Sequence, residues 1–227
     1  MSSPIRASLL AIAFAMIPVT ARAGTLAGKV ELPPAPERPP LAVKGFLDRM
    51  ENPLANVRQP SVAPYIVVVL EGEGKPPPPD PGQVNWDLAG DSLLPPVLVA
   101  PVNANIVIKN QSRSPRTLVA AEDPKLIPPG PVNPTGPKSF RVPTANVYTV
   151  GDKDAPYLRG MLVVVNTPYI AAVDATGAFK LDAPAGSYKL RVFYRDKWTT
   201  VEETVNIPAK GKAPEVTVKG LVSPKAK

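Results

Sequence analysis

The side chains able to do chemistry in this chain are few. Its 227 residues include no histidine and no cysteine, which removes the common nucleophile–base pairs and most transition-metal sites. Carboxylates remain, and they fall in close pairs: Glu122 with Asp123, Asp152 with Asp154, Glu202 with Glu203. A glycosidase needs two carboxyl groups converging on one bond. Neighbours on a strand point to opposite faces, so the adjacent pairs are poor candidates for such an acid and base. Asp152 and Asp154 could together approach a calcium ion, but calcium takes six or more oxygens, and solvated loop acids are the plainer reading. The sequence therefore predicts a protein that is not an enzyme and carries no cofactor.

The elements that would position Asp152 and Asp154 are readable. Tyr148 and Val150 mark one strand, Met161 to Val165 is an apolar run that marks another, and a tight loop from Gly151 to Gly160 joins them. Further back, NIVIKN from Asn105 to Asn110 reads as a strand, with Ile106 and Ile108 on one face and Val107 and Lys109 on the other. Val84–Leu88, Val97–Val99, Ser139–Val142 and Asn146–Val150 complete a strand-after-strand rhythm, interrupted by a proline-rich loop from Ala121 to Lys138.

On these residues the region resembles the plastocyanin-like copper proteins often labelled methylamine-utilisation proteins. DKDAPYLRG resembles their ligand loop, with Pro156, Arg159 and Gly160 in place, and Leu94-Pro95-Pro96-Val97 before a strand ending in asparagine matches their earlier pattern. In that family the loop supplies a cysteine, a histidine and a methionine at spacing three. Here those positions hold Asp152, Ala155 and Leu158. The family's other histidine follows a strand-end asparagine, and in NQSRSPRTL that position is Arg116. The resemblance thus implies a cupredoxin-like Greek-key domain whose copper site is degenerate. Two imidazoles and a thiolate hold a blue-copper ion, and none is available. Arg116 and Asp152 are either a replacement ion pair where the metal sat, with Leu158 filling the axial position, or two charges pointing to solvent. Asn110-Gln111-Ser112 formally fits a glycan acceptor.

A second signature lies in TPYIAAVDATGAFKLDAPAGSYKLRVFY. Asp174-Ala-Thr-Gly177 turns between Ile170–Val173 and Ala178–Leu181, and Pro184-Ala-Gly186 turns into Ser187–Tyr194. Tyr188, Leu190, Val192 and Tyr194 share a face, which leaves Phe193 as a misfit or a second-face contact. The stretch is similar to the carboxypeptidase-regulatory-like, transthyretin-type sandwich, whose pattern is a Thr/Val-Asp-x-x-Gly-x-Phe hairpin and a Pro-x-Gly-x-Tyr strand. Thr199–Ile207 and Glu215–Leu221 add two strands, and Thr25–Glu31 and the apolar run Pro64–Gly72 supply the two with which that family begins.

The expected fold is therefore all-β, with two β-sandwiches. Residues 24–72 and 167–221 form the regulatory-like one, and residues 73–166 form the cupredoxin-like one inserted between them. A basic tail occupies 222–227. The 32 prolines agree with turns and edge strands. Within the first part, the connection to Pro60 allows one helical turn at Phe46–Met50, and GKPPPPDPG from Gly74 reads as a rigid spacer.

Residues 1–23 read as a signal peptide: Arg6, an apolar core from Ala7 to Val19, then Ala21-Arg22-Ala23 before the cut. The run is too short to span a bilayer, so a periplasmic or secreted protein is expected, without a transmembrane segment in the mature chain. Without Arg6 and Arg22, 24 of the 26 Lys and Arg remain against 19 Asp and Glu. The basic residues are scattered, so no nucleic-acid partner is expected.

The function these readings favour is a non-catalytic binding or scaffold protein, proline-rich and exported, whose partner is an unknown protein or an envelope polysaccharide. The aromatics Tyr157, Tyr169, Phe193, Tyr194 and Trp198 are the candidates for such a surface. Two alternatives stand beside it: a periplasmic electron-transfer protein binding copper through unconventional ligands such as Met161 and Asp152, and a cell-envelope carbohydrate-binding module.

Overall fold

The structure, a computed structural model, describes residues 23–34, 61–72, 80–90, 92–208 and 215–221. The signal segment to residue 22, the helical turn at Phe46–Met50, most of the proline spacer and the basic tail lie outside the described residues.

Among the described residues, fifteen strands make four sheets. In chain order they are β1 (Ala23–Val30), β2 (Ile66–Gly72), β3 (Gln83–Ala89), β4 (Ser92–Leu94), β5 (Val97–Pro101), β6 (Asn105–Asn110), β7 (Leu118–Ala120), β8 (Lys138–Arg141), β9 (Asn146–Asp152), β10 (Arg159–Val165), β11 (Ile170–Ala172), β12 (Ala178–Pro184), β13 (Gly186–Tyr194), β14 (Lys197–Ile207) and β15 (Val216–Val218). The sheet orders are β12-β1-β15, β11-β2-β13-β14, β4-β3-β6-β8 and β5-β10-β9-β7. Strands β1 and β2 thus pair only with β11–β15, while β3–β10 pair among themselves. The chain builds a flanking sandwich from its two ends and a central sandwich from its middle.

Each sandwich has its own core. Leu26, Val68, Leu70, Phe179, Leu190 and Val192 fill the flanking one; Trp86, Leu88, Ile106, Ile108, Val150 and Leu162 fill the central one. A third cluster joins them. Val67 and Val69 of β2 and Phe193 of β13 pack against Val97 of β5 and Val163 and Val165 of β10. The layers are therefore stacked four deep, and the two inner sheets are covered on both faces. This explains the composition of β2 and β10. A strand with one wet face alternates polar and apolar residues, whereas Ile-Val-Val-Val-Leu and Met-Leu-Val-Val-Val do not alternate, because both faces are covered along most of each run. Phe193 makes the second-face contact: it is fully buried and meets Trp198 edge to face at 5.3 Å.

Two expectations are corrected. The Asp174–Gly177 turn does not close a hairpin, since β11 pairs with β2 and β12 pairs with β1 in different sheets. It is a corner between layers: Asp174 Oδ1 accepts from Thr176 N, Thr176 Oγ1 and Ala178 N, and Gly177 sits at φ +88° with Val30 O only 2.1 Å from where a Cβ would be. The loop between β9 and β10 is also shorter than read, Lys153 to Leu158, because both strands run on into it.

Candidate functional site

The candidate site lies at one end of the central sandwich, where β9 ends and β10 begins. Strand β9 alternates, so Tyr148, Val150 and Asp152 point into the core while Val147, Thr149 and Gly151 face the flanking sandwich. This periodicity carries the Asp152 carboxylate inward, where its side chain is only 1% exposed. The loop then folds over it. Asp152 N–H donates to Leu158 O at 3.2 Å, Leu158 N–H to Ala155 O at 2.9 Å, and Asp154 N–H to Asp152 Oδ1 at 2.8 Å. Ala155 and Leu158 are both buried members of the central core.

Arg116 arrives from the segment between β6 and β7. Its backbone is latched to Val132 by two hydrogen bonds, Arg116 N to Val132 O at 3.2 Å and Val132 N to Arg116 O at 2.8 Å. Next to it, Lys153 N donates to Thr117 O at 2.9 Å, tying the segment to the loop. The guanidinium then stands beside the carboxylate, with Arg116 Nη1 and Asp152 Oδ2 3.6 Å apart. That is ion-pair distance without hydrogen-bond contact, and Asp152 Oδ2 accepts no hydrogen bond. Of the four sequence-selected positions, Arg116 and Asp152 meet as an ion pair, while Ala155 and Leu158 lie in the loop that folds back on Asp152. Ala155 and Leu158, backbone-bonded to each other in that loop, are buried in the central core.

Asn110, last residue of β6, was named in the sequence as the strand-end asparagine and as the start of a glycan-acceptor motif, with no part in the site. It is 5% exposed, and its amide is fully used. Nδ2 donates to Ser114 O at 2.9 Å and Val132 O at 2.8 Å, while Oδ1 accepts from Ser112 N at 2.9 Å and Ser112 Oγ at 2.6 Å. It thereby fixes the loop that aims Arg116. The same burial excludes Asn110 as a glycan acceptor in the folded protein.

The donor set does not fit copper. A guanidinium is a cation with no free lone pair, Asp152 offers only hard oxygen, and Ala155 and Leu158 offer nothing. Met161 does not complete it. It lies opposite Thr149 in the β9–β10 register and faces the flanking sandwich, on the other side of the sheet from Asp152. The Met161–Asp152 ligand pair is thus not assembled. Among the described residues no group of three acids stands close enough to hold a cation. Two of the other carboxylates have local partners: Glu122 takes Thr149 N at 2.6 Å and Thr149 Oγ1 at 2.8 Å, and Glu202 takes Lys189 at 2.5 Å and Arg191 at 3.5 Å. Of the aromatics, Tyr157 at the loop tip is 69% exposed, whereas Phe193 and Tyr194 are buried.

The chain matches no family model, and no curated protein is similar to it. Among solved structures it is similar to cupredoxins over part of its length. A reduced amicyanin variant is 17% identical, covering 37% of this chain and 82% of its own, with a TM-score of 0.33. A purple cupredoxin from Nitrosopumilus maritimus is 16% identical over 37% of this chain and 99% of its own, also at 0.33. A fern plastocyanin variant is 12% identical over 36% and 100%, at 0.31. Likenesses this slight say nothing of chemistry, which rests on the side chains themselves. Among the described residues no helix is long and apolar enough to cross a membrane.

Proposed function

We propose that this chain is an exported, non-catalytic binding or scaffold protein whose central sandwich is a cupredoxin-type unit with an ion pair in place of a metal centre. The observation that carries the reading is the pairing of Arg116 and Asp152 at 3.6 Å at one end of β9, beside a loop whose Ala155 and Leu158 are buried in the central core. A bare carboxylate at 1% exposure would cost several kcal/mol, and an adjacent guanidinium offsets most of that. Such a pair holds the end of the sandwich closed and presents no reactive group to solvent. The flanking sandwich supports the scaffold half of the reading, because its inner sheet is joined to the central unit through an apolar seam.

Two measurements test it. Titrating the wild-type protein with Cu(II) is expected to give no tight stoichiometric complex and no intense visible charge-transfer band. A band would sink the scaffold reading. The fourfold variant Arg116→His, Asp152→Cys, Ala155→His, Leu158→Met is expected to bind copper with such a band, since it restores two imidazoles, a thiolate and a thioether at the same four positions. If that variant folds, by circular dichroism and thermal melting, and still binds no copper, the four positions are not a rewritten metal site.

A further inference from the structure

The seam between the sandwiches does not close along its whole length. At the end where β2, β5 and β10 begin it opens into a cleft of about 970 Å³, at the upper end of the volumes that hold small ligands. One wall comes from the flanking sandwich: Val62, Tyr65 and the β13–β14 turn with Arg195. The other comes from the central one: Val97, Val147 and Met161, with Arg159 at the rim. Val97, Val147 and Met161 also belong to the seam core, so the floor of the cleft continues that apolar cluster.

The polar groups around this floor are unequal. Glu122 lines the cleft, but both its oxygens already accept from Thr149, and Asp196 sits exposed at the turn tip. The guanidiniums are less committed. Arg159 gives only its Nε–H, to Pro156 O at 2.9 Å. Arg195 is half-buried, lies 5.2 Å from the Tyr194 ring, and forms no side-chain hydrogen bond or ion pair with any described residue. Its backbone is unusual as well. Arg195 stands at φ +60°, a region that favours glycine, and is held there by Arg195 N donating to Tyr65 O at 2.9 Å. A strained turn that keeps a large cation at the edge of an apolar cleft is the pattern of a site rather than of a turn optimised for folding.

We propose that this cleft binds a small amphiphilic organic anion: a carboxylate held by Arg195 and Arg159, with its aliphatic or aromatic body on Val97, Val147 and Met161. The ligand would touch both sandwiches at once and so bridge them. The site lies on the opposite face of the β5-β10-β9-β7 sheet from Arg116 and Asp152, so it stands or falls independently of the ion-pair reading.

The test is calorimetric titration of the full chain with octanoate, alongside octan-1-ol and octylamine as neutral and cationic probes of equal chain length. Octanoate is expected to bind saturably, one per chain, at least about tenfold tighter than either control, as a charge-assisted contact implies. Arg195→Gly is the informative variant, because glycine suits φ +60° and the fold should survive. It is expected to weaken octanoate about tenfold or more with no fall in thermal midpoint, and Arg159→Gln to weaken it further. Equal binding of the three probes, absence of saturable octanoate binding, or unchanged affinity in a folded Arg195→Gly protein would each overturn the proposal.

Discussion

Replacing Arg116 by leucine leaves the Asp152 carboxylate in the core with one hydrogen bond, from Asp154 N–H, and no counter-charge. Two charges 3.6 Å apart attract by roughly 4 to 5 kcal/mol at the effective dielectric of about 20 that suits protein sites. Breaking a buried pair costs about 3 to 5 kcal/mol. Because the guanidinium is 21% exposed and Oδ1 keeps its bond, the lower end applies, about 3 kcal/mol. In Asp152→Asn the amide oxygen retains the Asp154 contact and Arg116 can turn to water, so about 1 kcal/mol is expected. The double variant should cost about 2 kcal/mol, less than the sum, for a coupling of about 2 kcal/mol. Urea unfolding measures all four proteins, with unchanged slopes required for the comparison. In thermal melts the single Arg116→Leu change should lower the midpoint by about 6 to 12 °C, taking roughly 2 to 4 °C per kcal/mol for a chain of this size. An additive cycle, or a loss below about 1 kcal/mol for Arg116→Leu, would mean that the two charges do not interact and that the pair does not hold this end of the sandwich.

Other outcomes follow from the packing. Gly160→Ala would put a methyl 2.7 Å from Trp86 Cζ2 and 2.8 Å from Leu93 Cδ1, so a loss of about 1 to 3 kcal/mol is expected, read by fluorescence-detected unfolding. Phe193→Ala empties the centre of the seam and should cost about 3 to 5 kcal/mol; a value near zero would mean the two sandwiches gain little from touching. The Thr176 hydroxyl, followed by backbone N–H groups, holds the Asp174 carboxyl below its ordinary value of 3.8. A lowered folded value stabilises above the ordinary one and is lost as pH falls through the folded one, so Asp174→Ala should flatten the stability profile below about pH 3.8 and leave its shape at neutral pH unchanged. Lys138 Nζ gathers the carbonyls of Pro128, Pro129 and Gly130, and Lys138→Met should make the 121–137 loop the first site cut in limited proteolysis.

The strands with the strongest patterns were legible because burial writes itself into composition. The uninterrupted apolar runs of β2 and β10 announce strands covered on both faces, and Phe193 on the wrong side of β13 announces a second contact. Strands β4 and β7, three residues each, carry no period and were not anticipated. The DATG segment looked like a hairpin because turn chemistry reports that the chain reverses, but not which sheet it enters next. At the candidate site, Arg116 and Asp152 were found through a borrowed ligand pattern; their separation depends on Asn110, whose amide network spans residues far apart in sequence. Arg159 was seen only as part of the ligand-loop resemblance, and Arg195 left no trace. They come from different sandwiches, and nothing in Tyr-Arg-Asp-Lys marks a positive φ.

The interleaved topology also fixes an order of assembly. Every strand of the central sandwich lies between Gln83 and Val165, so that unit can condense while the C-terminal part of the chain is still being made. Strand β1 must wait for β12 and then for β15, almost two hundred residues downstream, and β2 for β13. Until then the valine ridge of β5 and β10 stands uncovered and offers β2 a docking template. A nascent chain stalled before residue 178 would therefore hold one finished half and one sticky ridge, and aggregation is expected at that stage rather than in the complete fold.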